Sequence, residues 1–193
     1  MPILVSRRTR LSSVKGRVIL KKLLKPGIIK IGFTGVEMST YHEWSVWNVN
    51  GDISFEGTAN FGPGTRLYVG PNGYLFIGDN LLVTAKSEIC CTKRVKIGKD
   101  VLFSWDILLM DTDSHPIRNQ ELQVINNDKD INIGNNVWIG CRSTILKGSI
   151  IPDNSIVGAN SLTNKSFKNC NLIIGGTPAK ILKTDVVWKR EHY

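Results

Sequence analysis

An aliphatic residue returns at every sixth position from Ile133 through Ile139, Ile145 and Ile151 to Val157. Ser143, Ser149, Ser155 and Ser161 keep the same interval, each four places after an aliphatic residue. Glycine follows the aliphatic residue at Gly134, Gly140 and Gly158. A helix repeats near 3.6 residues and a strand near 2, so neither accounts for this spacing. It is accounted for if each hexad is a short strand plus a corner, and three such units close a triangular turn of about 18 residues. The aliphatic side chains then point inward and stack into a column from turn to turn, with serine where the interior narrows. Glycine beside them allows backbone angles that a side chain forbids. Each turn pairs its backbone with the next as parallel strands, so no single turn is stable alone.

A looser version of the period runs from about Ile53 to Leu109. Phe55, Phe61 and Leu67 keep step, then Ile77, Val83 and Ile89, then Ile97, Phe103 and Leu109. The resets fall near glycines, lysines or prolines and read as small turn insertions. After Leu109 the chain runs MDTDSHPIRNQELQVINNDKD before the period resumes at Ile131. A polar segment of that length inside a repeating coil should be extruded as a loop, residues 111–130. It carries His115, the one histidine of three at a junction between repeat and loop; His42 and His192 lie in non-repeating flanks. Imidazole titrates near neutrality and suits proton transfer. The plainer reading is a surface histidine before a turn-forming proline, Pro116.

The chain carries 25 Lys and Arg against 16 Asp and Glu, and residues 1–36 hold nine of those bases and no acid. A basic arm of this kind suits an anionic substrate or contact with an anionic membrane surface. No nucleic-acid-binding motif accompanies it. Residues 1–50 form a basic and then aromatic segment, expected to pack on a coil spanning residues 51–180. Val14–Lys25 has the pattern of a short amphipathic helix stopped by Pro26-Gly27, and residues 181–193 read as a short C-terminal helix. No apolar run approaches the ~20 residues of a membrane span, and the N-terminus has no secretory-signal pattern, so a cytoplasmic protein is expected. Cys90, Cys91, Cys141 and Cys170 show no paired metal spacing and suit a reducing compartment.

These pieces together resemble the hexapeptide-repeat acyltransferases, the left-handed parallel β-helix enzymes, and within them the sugar and polysaccharide O-acetyltransferases of the maltose and galactoside type. The resemblance is carried by MDTDSHPI (Met110–Ile117), IGNNVWIGCRSTILKG (Ile133–Gly148), IPDNSIVGANS (Ile151–Ser161) and GGTPAKILK (Gly175–Lys183), and covers roughly residues 53–183. It implies a left-handed coil, a homotrimer, and acetyl-CoA as cosubstrate lying between neighbouring prisms. His115 matches the catalytic histidine, which would take the proton from a sugar hydroxyl as it attacks the thioester carbonyl. Asp113 or Asp111 would hold the ring in its useful tautomer, or shape the turn instead. Trp138 falls at the position near the reacting centre, where it would donate its indole N–H to the oxyanion, stack on the sugar, or simply pack on a neighbour. Cofactor positions fall on Cys141, Ala159, Asn164, Lys165 and Lys180, the lysines for the phosphates.

Cys141 stands where serine is common and Asn164 where threonine is common. Lys86 and Cys91 occupy the region where small-sugar members place acceptor-binding polar residues. This last departure argues against a galactoside-like acceptor and leaves room for a larger or anionic glycan, as in cell-surface polysaccharide biosynthesis. The alternatives are an N-acyltransferase on an amino sugar and a non-catalytic trimeric scaffold. A zinc enzyme on the same prism needs three converging histidines, and only His115 lies in the coil, so no metal is expected.

Overall fold

The computed structural model of the chain describes residues 1–22, 25–33 and 43–190. Among the described residues every regular element is a strand, and the strands form the three faces of one prism. The first face stacks Ile3–Val5, Ile29–Ile31, Ala59–Phe61, Leu81–Ala85, Leu102–Trp105, Trp138–Ile139, Ile156–Val157 and Ile173–Gly176 in parallel. The second stacks Thr9–Val14, Ser45–Val49, Arg66–Val69, Glu88–Cys91, Leu108–Met110, Thr144–Leu146 and Leu162–Thr163. The third stacks Arg17–Leu20, Asp52–Phe55, Tyr74–Ile77, Arg94–Ile97, Ile131–Ile133 and Ile150–Ile151. The chain visits the faces in rotation, which is the winding of a left-handed parallel β-helix.

The hexad residues are the inward-facing ones. On the first face Ile31, Phe61, Val83, Phe103, Ile139, Val157 and Ile174 stand in direct register. On the second the column is Trp47, Leu67, Ile89, Leu109 and Ile145, closed below by Thr163. On the third it is Phe55, Ile77, Ile97, Ile133 and Ile151. All of these are buried, and together they form one continuous core.

Ser143, Ser149 and Ser155 are fully buried and Ser161 nearly so, their hydroxyls donating to the corner carbonyls of Gly158, Leu146, Asp153 and Ala159. A small hydroxyl fits the narrow corner and returns a hydrogen bond to a carbonyl that would otherwise be buried alone.

The corners divide their labour in a way the repeat did not announce. Positive φ is taken by Asn80, Asp100, Asn136, Asn154 and Asn171 between the third and first faces, and by Lys86, Asp106, Arg142 and Asn160 between the first and second. Asn and Asp tolerate the left-handed region because their short polar groups bond locally. The hexad glycines serve close approach instead. A Cβ on Gly140 would sit 2.6 Å from the backbone nitrogen of Ala159, and one on Gly134 equally close to that of Asp153.

Three expectations give way. Over its described residues Val14–Lys25 is not helical: the strand Thr9–Val14 ends there, Gly16 makes the corner against the Gly51 carbonyl, and Arg17–Leu20 follows; Leu23 and Leu24 lie outside the described residues. Pairing with Ser45–Val49 and Asp52–Phe55 satisfies this backbone more fully than a three-turn helix in water would. The described residues of 1–50 are therefore not a segment packed on the coil but its first turns, with strands spaced too unevenly to keep the period. The C-terminal helix is absent over the described residues as well. Ala179–Lys183 pairs antiparallel with Ile173–Gly176 and so covers the last open strand edge. Beyond it the chain climbs back along the corner between the third and first faces. Val186 N–H donates to the Asn171 carbonyl, Trp188 Nε1 to that of Asn136, and Arg190 to those of Asn80 and Val101.

Phe103 is fully buried at mid-column, between Val83 above and Ile139 below. Replacing it by alanine leaves a cavity that rigid neighbouring turns cannot close. The expected cost is about 3–5 kcal/mol, read as a lowered midpoint in urea unfolding.

Candidate active site

The extruded loop leaves the coil after Met110 on the second face and re-enters at Ile131 on the third. Its foot is built by Asp111, which is fully buried. One carboxylate oxygen accepts from the backbone N–H and hydroxyl of Thr92 (2.8 and 3.0 Å), the other from the N–H of Lys93 (2.9 Å). Asp111 thus pins the loop to the corner of the turn above, and its carboxylate is not available to a histidine ring. Asp128 joins the same corner by accepting from the Thr92 hydroxyl, while Lys93 pairs with Asp130. Lys129 N–H to the Asp111 carbonyl closes the neck (3.2 Å).

Above this foot the chain turns tightly, with His115 N–H donating to the Asp113 carbonyl (2.7 Å). The Asn126 amide crosses from the returning limb and donates to both the Asp113 carboxylate and the His115 carbonyl, each at 2.8 Å. Lys147, one turn below and only 16% exposed at its side chain, donates to the same Asp113 oxygen at 2.6 Å and to the Asn126 carbonyl. The ammonium hydrogen bond, aided by the Asn126 amide, holds the Asp113 carboxyl below its ordinary value. His115 is exposed and, among the described residues, its imidazole has no hydrogen-bond partner. It borders a shallow concavity of roughly 420 Å³ shared with Thr112, Ser114, Val124, Asn127 and Asp128. Beyond it the loop folds into a small hairpin bridged at Arg118 and Val124, with Ile117, Leu122 and Ile125 more than half exposed.

Asp113 therefore lies beside His115, but its carboxylate grips Lys147 and Asn126 rather than the ring. Lys147 and Asn126 were not singled out in the sequence. The only available signal was a lysine in a repeat whose neighbouring positions are aliphatic, serine or glycine.

The other expected residues are distributed around the prism. Cys141, Ala159 and Lys180 follow one another down the edge between the first and second faces; Asn160 N–H bonds the Cys141 carbonyl, and Lys180 pairs with Gly175. Ala159 and Lys180 are exposed there and Cys141 is half-buried. Asn164 and Lys165 lie instead at the edge between the second and third faces, below the loop; Lys165 stands over the Phe167 ring at 5.4 Å. Trp138 projects from the first face, 37% exposed. Its indole N–H donates to the Ser104 hydroxyl (3.1 Å) and its ring packs on Trp188, with centroids 6.0 Å apart. That N–H is occupied, so what Trp138 still offers is its ring. Lys86, at a corner on the first of these edges, is paired with Glu43, and Cys91 is buried in the core. Neither is presented for acceptor binding. The four cysteines are unpaired, and no group of three or more His, Cys, Asp or Glu among the described residues is placed to hold a metal ion.

A family model described as bacterial transferase hexapeptide (six repeats) matches residues 130–165. The chain is 31% identical over 144 residues to a putative lipopolysaccharide biosynthesis O-acetyl transferase of Escherichia coli, covering 69% of this chain and 72% of that protein. It is 46% identical over 101 residues to a polysialic acid O-acetyltransferase of Neisseria meningitidis, covering 52% of this chain and 47% of that one. A crystal structure of a polysialic acid O-acetyltransferase superposes with a TM-score of 0.60 at 28% identity, covering 99% of this chain and 92% of that chain. By its prism, the register of its repeat and these relatives, the chain belongs to the hexapeptide-repeat acyltransferase family.

Proposed function

We propose that this acyltransferase moves an acetyl group from acetyl-CoA directly to a hydroxyl of a sugar in a cell-surface polysaccharide, with His115 as the general base. The observation that carries the proposal is the placement of His115. It is exposed, and it sits on a loop tied to the rigid coil through Asp111, Asp113 and Asp128. A sugar hydroxyl is a poor nucleophile at neutral pH. The ring accepts its proton while the oxygen forms a bond to the thioester carbonyl carbon. The carbon–sulfur bond then breaks, and the thiolate leaves with the proton the ring has held. Asp113 acts as a positioning residue: with Lys147 and Asn126 it fixes the backbone from which the imidazole projects, without touching the ring.

The distribution of the remaining residues supports a homotrimer. On one prism the edge bearing Cys141, Ala159 and Lys180 is separated by the whole second face from the edge bearing the His115 loop. Three parallel prisms packed side by side set one protomer's loop edge against the next protomer's other edge, which closes a cleft between them. The strip along Cys141 and Ala159 is narrow and open enough for the pantetheine arm, since the hexad glycines bring its turns close together. Lys180 and Lys165 are the cations for the phosphates. The ring of Trp138 is the stacking surface. The acceptor assignment draws on the relatives, which are named for lipopolysaccharide and polysialic acid. A cytoplasmic location fits the thioester donor and four thiols left unpaired.

His115→Ala should lower turnover by about 10²-fold or more with unchanged thermal unfolding, measured as thiol release from acetyl-CoA with glycan acceptors and mass spectrometry of the product. Near-normal turnover in that variant removes the base. Thiol release without an acetylated glycan, or an amide-linked product, removes the acceptor assignment.

The Asp113 carboxyl is held low, so its contribution to loop order is present above the ordinary carboxylate range and is lost as pH falls through its lowered value. Lys147→Met should speed hydrogen exchange across residues 113–126 at neutral pH and flatten the acid-side loosening expected of the native chain. The same variant should lower kcat more than it raises KM.

A further inference from the structure

The two ends of the prism differ. At the C-terminal end the interior is sealed by Phe167 and Leu172, and the last first-face strand is covered by Ala179–Lys183. At the N-terminal end no described residue covers the columns. Val5 stands over Ile31 and Leu11 over Trp47, each at the top of its column, with Val14 over Val49 and Val18 over Ile53 beside them. Leu4 and Val5 are 39% exposed, Leu11 53% and Val14 66%. Val5, Leu11 and Val14, with Ile3 and Val18, line a concavity of about 190 Å³ whose walls are almost wholly apolar. Ile3–Val5, Thr9–Val14 and Arg17–Leu20 are also terminal strands of their sheets, so three free edges meet at this rim.

Around this apolar floor every corner carries bases. Arg7 and Arg8 stand between the first and second faces, Lys15 between the second and third, and Lys21, Lys22 and Lys25 between the third and first; all are exposed. Arg17, Lys21 and Lys22 are answered by Asp52, Glu56 and Asp79 on the turns below. Among the described residues Arg7, Arg10, Lys15 and Lys25 make no ion pair. Charges on edge strands protect against edge pairing, but either sign does that, and edge protection does not call for exposed leucine and valine at the centre. An apolar floor within a single-sign cationic rim matches an interface that is anionic at its surface and apolar beneath it. A second copy meeting this end would set bases against bases.

We propose that the N-terminal end of the prism docks end-on onto an anionic lipid bilayer, its corner bases meeting the headgroups and Leu11 and Val14 entering the interface. The prism axis then stands across the membrane surface, and the His115 loop is held several turns above it.

The test is flotation of the full chain with vesicles of phosphatidylcholine alone and of phosphatidylcholine mixed with phosphatidylglycerol. The native chain should float with the mixed vesicles, not with the neutral ones, and less as salt rises. Arg10→Gln with Lys15→Gln should weaken partitioning by about 30-fold. Leu11→Ser with Val14→Ser should weaken it by at least several-fold. Arg7→Gln with Lys25→Gln repeats the charge test away from the strands. Thermal unfolding and acetyl transfer to a soluble acceptor should stay unchanged in all three, which keeps this result separate from the fate of the catalytic proposal. Equal binding to neutral vesicles or indifference to both charge pairs overturns the proposal. So does tighter binding to a DNA or RNA duplex at the same salt, or an end-to-end dimer that Leu11→Ser with Val14→Ser abolishes.

Discussion

The structure depends on one arrangement: a short strand on each turn hydrogen-bonds to the strand directly beneath it, with its inward side chain resting on the side chain below. Phe61, Val83, Phe103, Ile139 and Val157 form such a stack, and each is in register through backbone pairing rather than by chance of packing. Parallel strands need a crossover, and here the crossover is the rest of the turn. Hydrogen bonding and apolar burial are therefore the same event, repeated from turn to turn. The corners follow from it. Asn and Asp take the left-handed positions, glycine permits the close rise, and buried serines close the polar balance.

A coil this regular is a rigid rail, and its chemistry resides where the regularity is interrupted. The loop of residues 111–130 is not loosely attached. Asp111 inserts its carboxylate into the corner above, and Lys147 reaches up from the turn below, so the loop is clamped by the turns on either side of its exit. The imidazole projects from this clamp toward solvent while the carboxylate beside it serves the clamp. The division assigns orientation to the backbone and leaves the ring without a protein partner among the described residues.

The same rail has ends, and they are treated differently. One is covered by the returning C-terminal strand, whose continuation then straps the corner as far as Asn80. At the other, among the described residues, the apolar columns lie open inside a ring of cations. An open column is the consequence of a core built by stacking, since the last layer on either side has nothing to rest on unless a cap is supplied.

From the sequence alone, the hexad period determined the prism, the identity of the inward residues from Phe55 to Val157, the buried serines and the extrusion of the loop that carries His115. Each rests on spacing, and spacing is what a repeating coil writes into its chain. Longer and uneven spacing between strands erased the period in residues 1–50, so Val14–Lys25 looked like a helix until the pairing of Arg17–Leu20 with the turn below was visible. The C-terminal residues likewise read as a helix because the open strand edge that recruits Ala179–Lys183 exists only in the folded coil. The grip of Lys147 and Asn126 on Asp113, and the separation of Cys141 and Lys180 from His115 by a whole face, join residues far apart in the chain. Such contacts are set by where the turns stack in three dimensions, which no local spacing records.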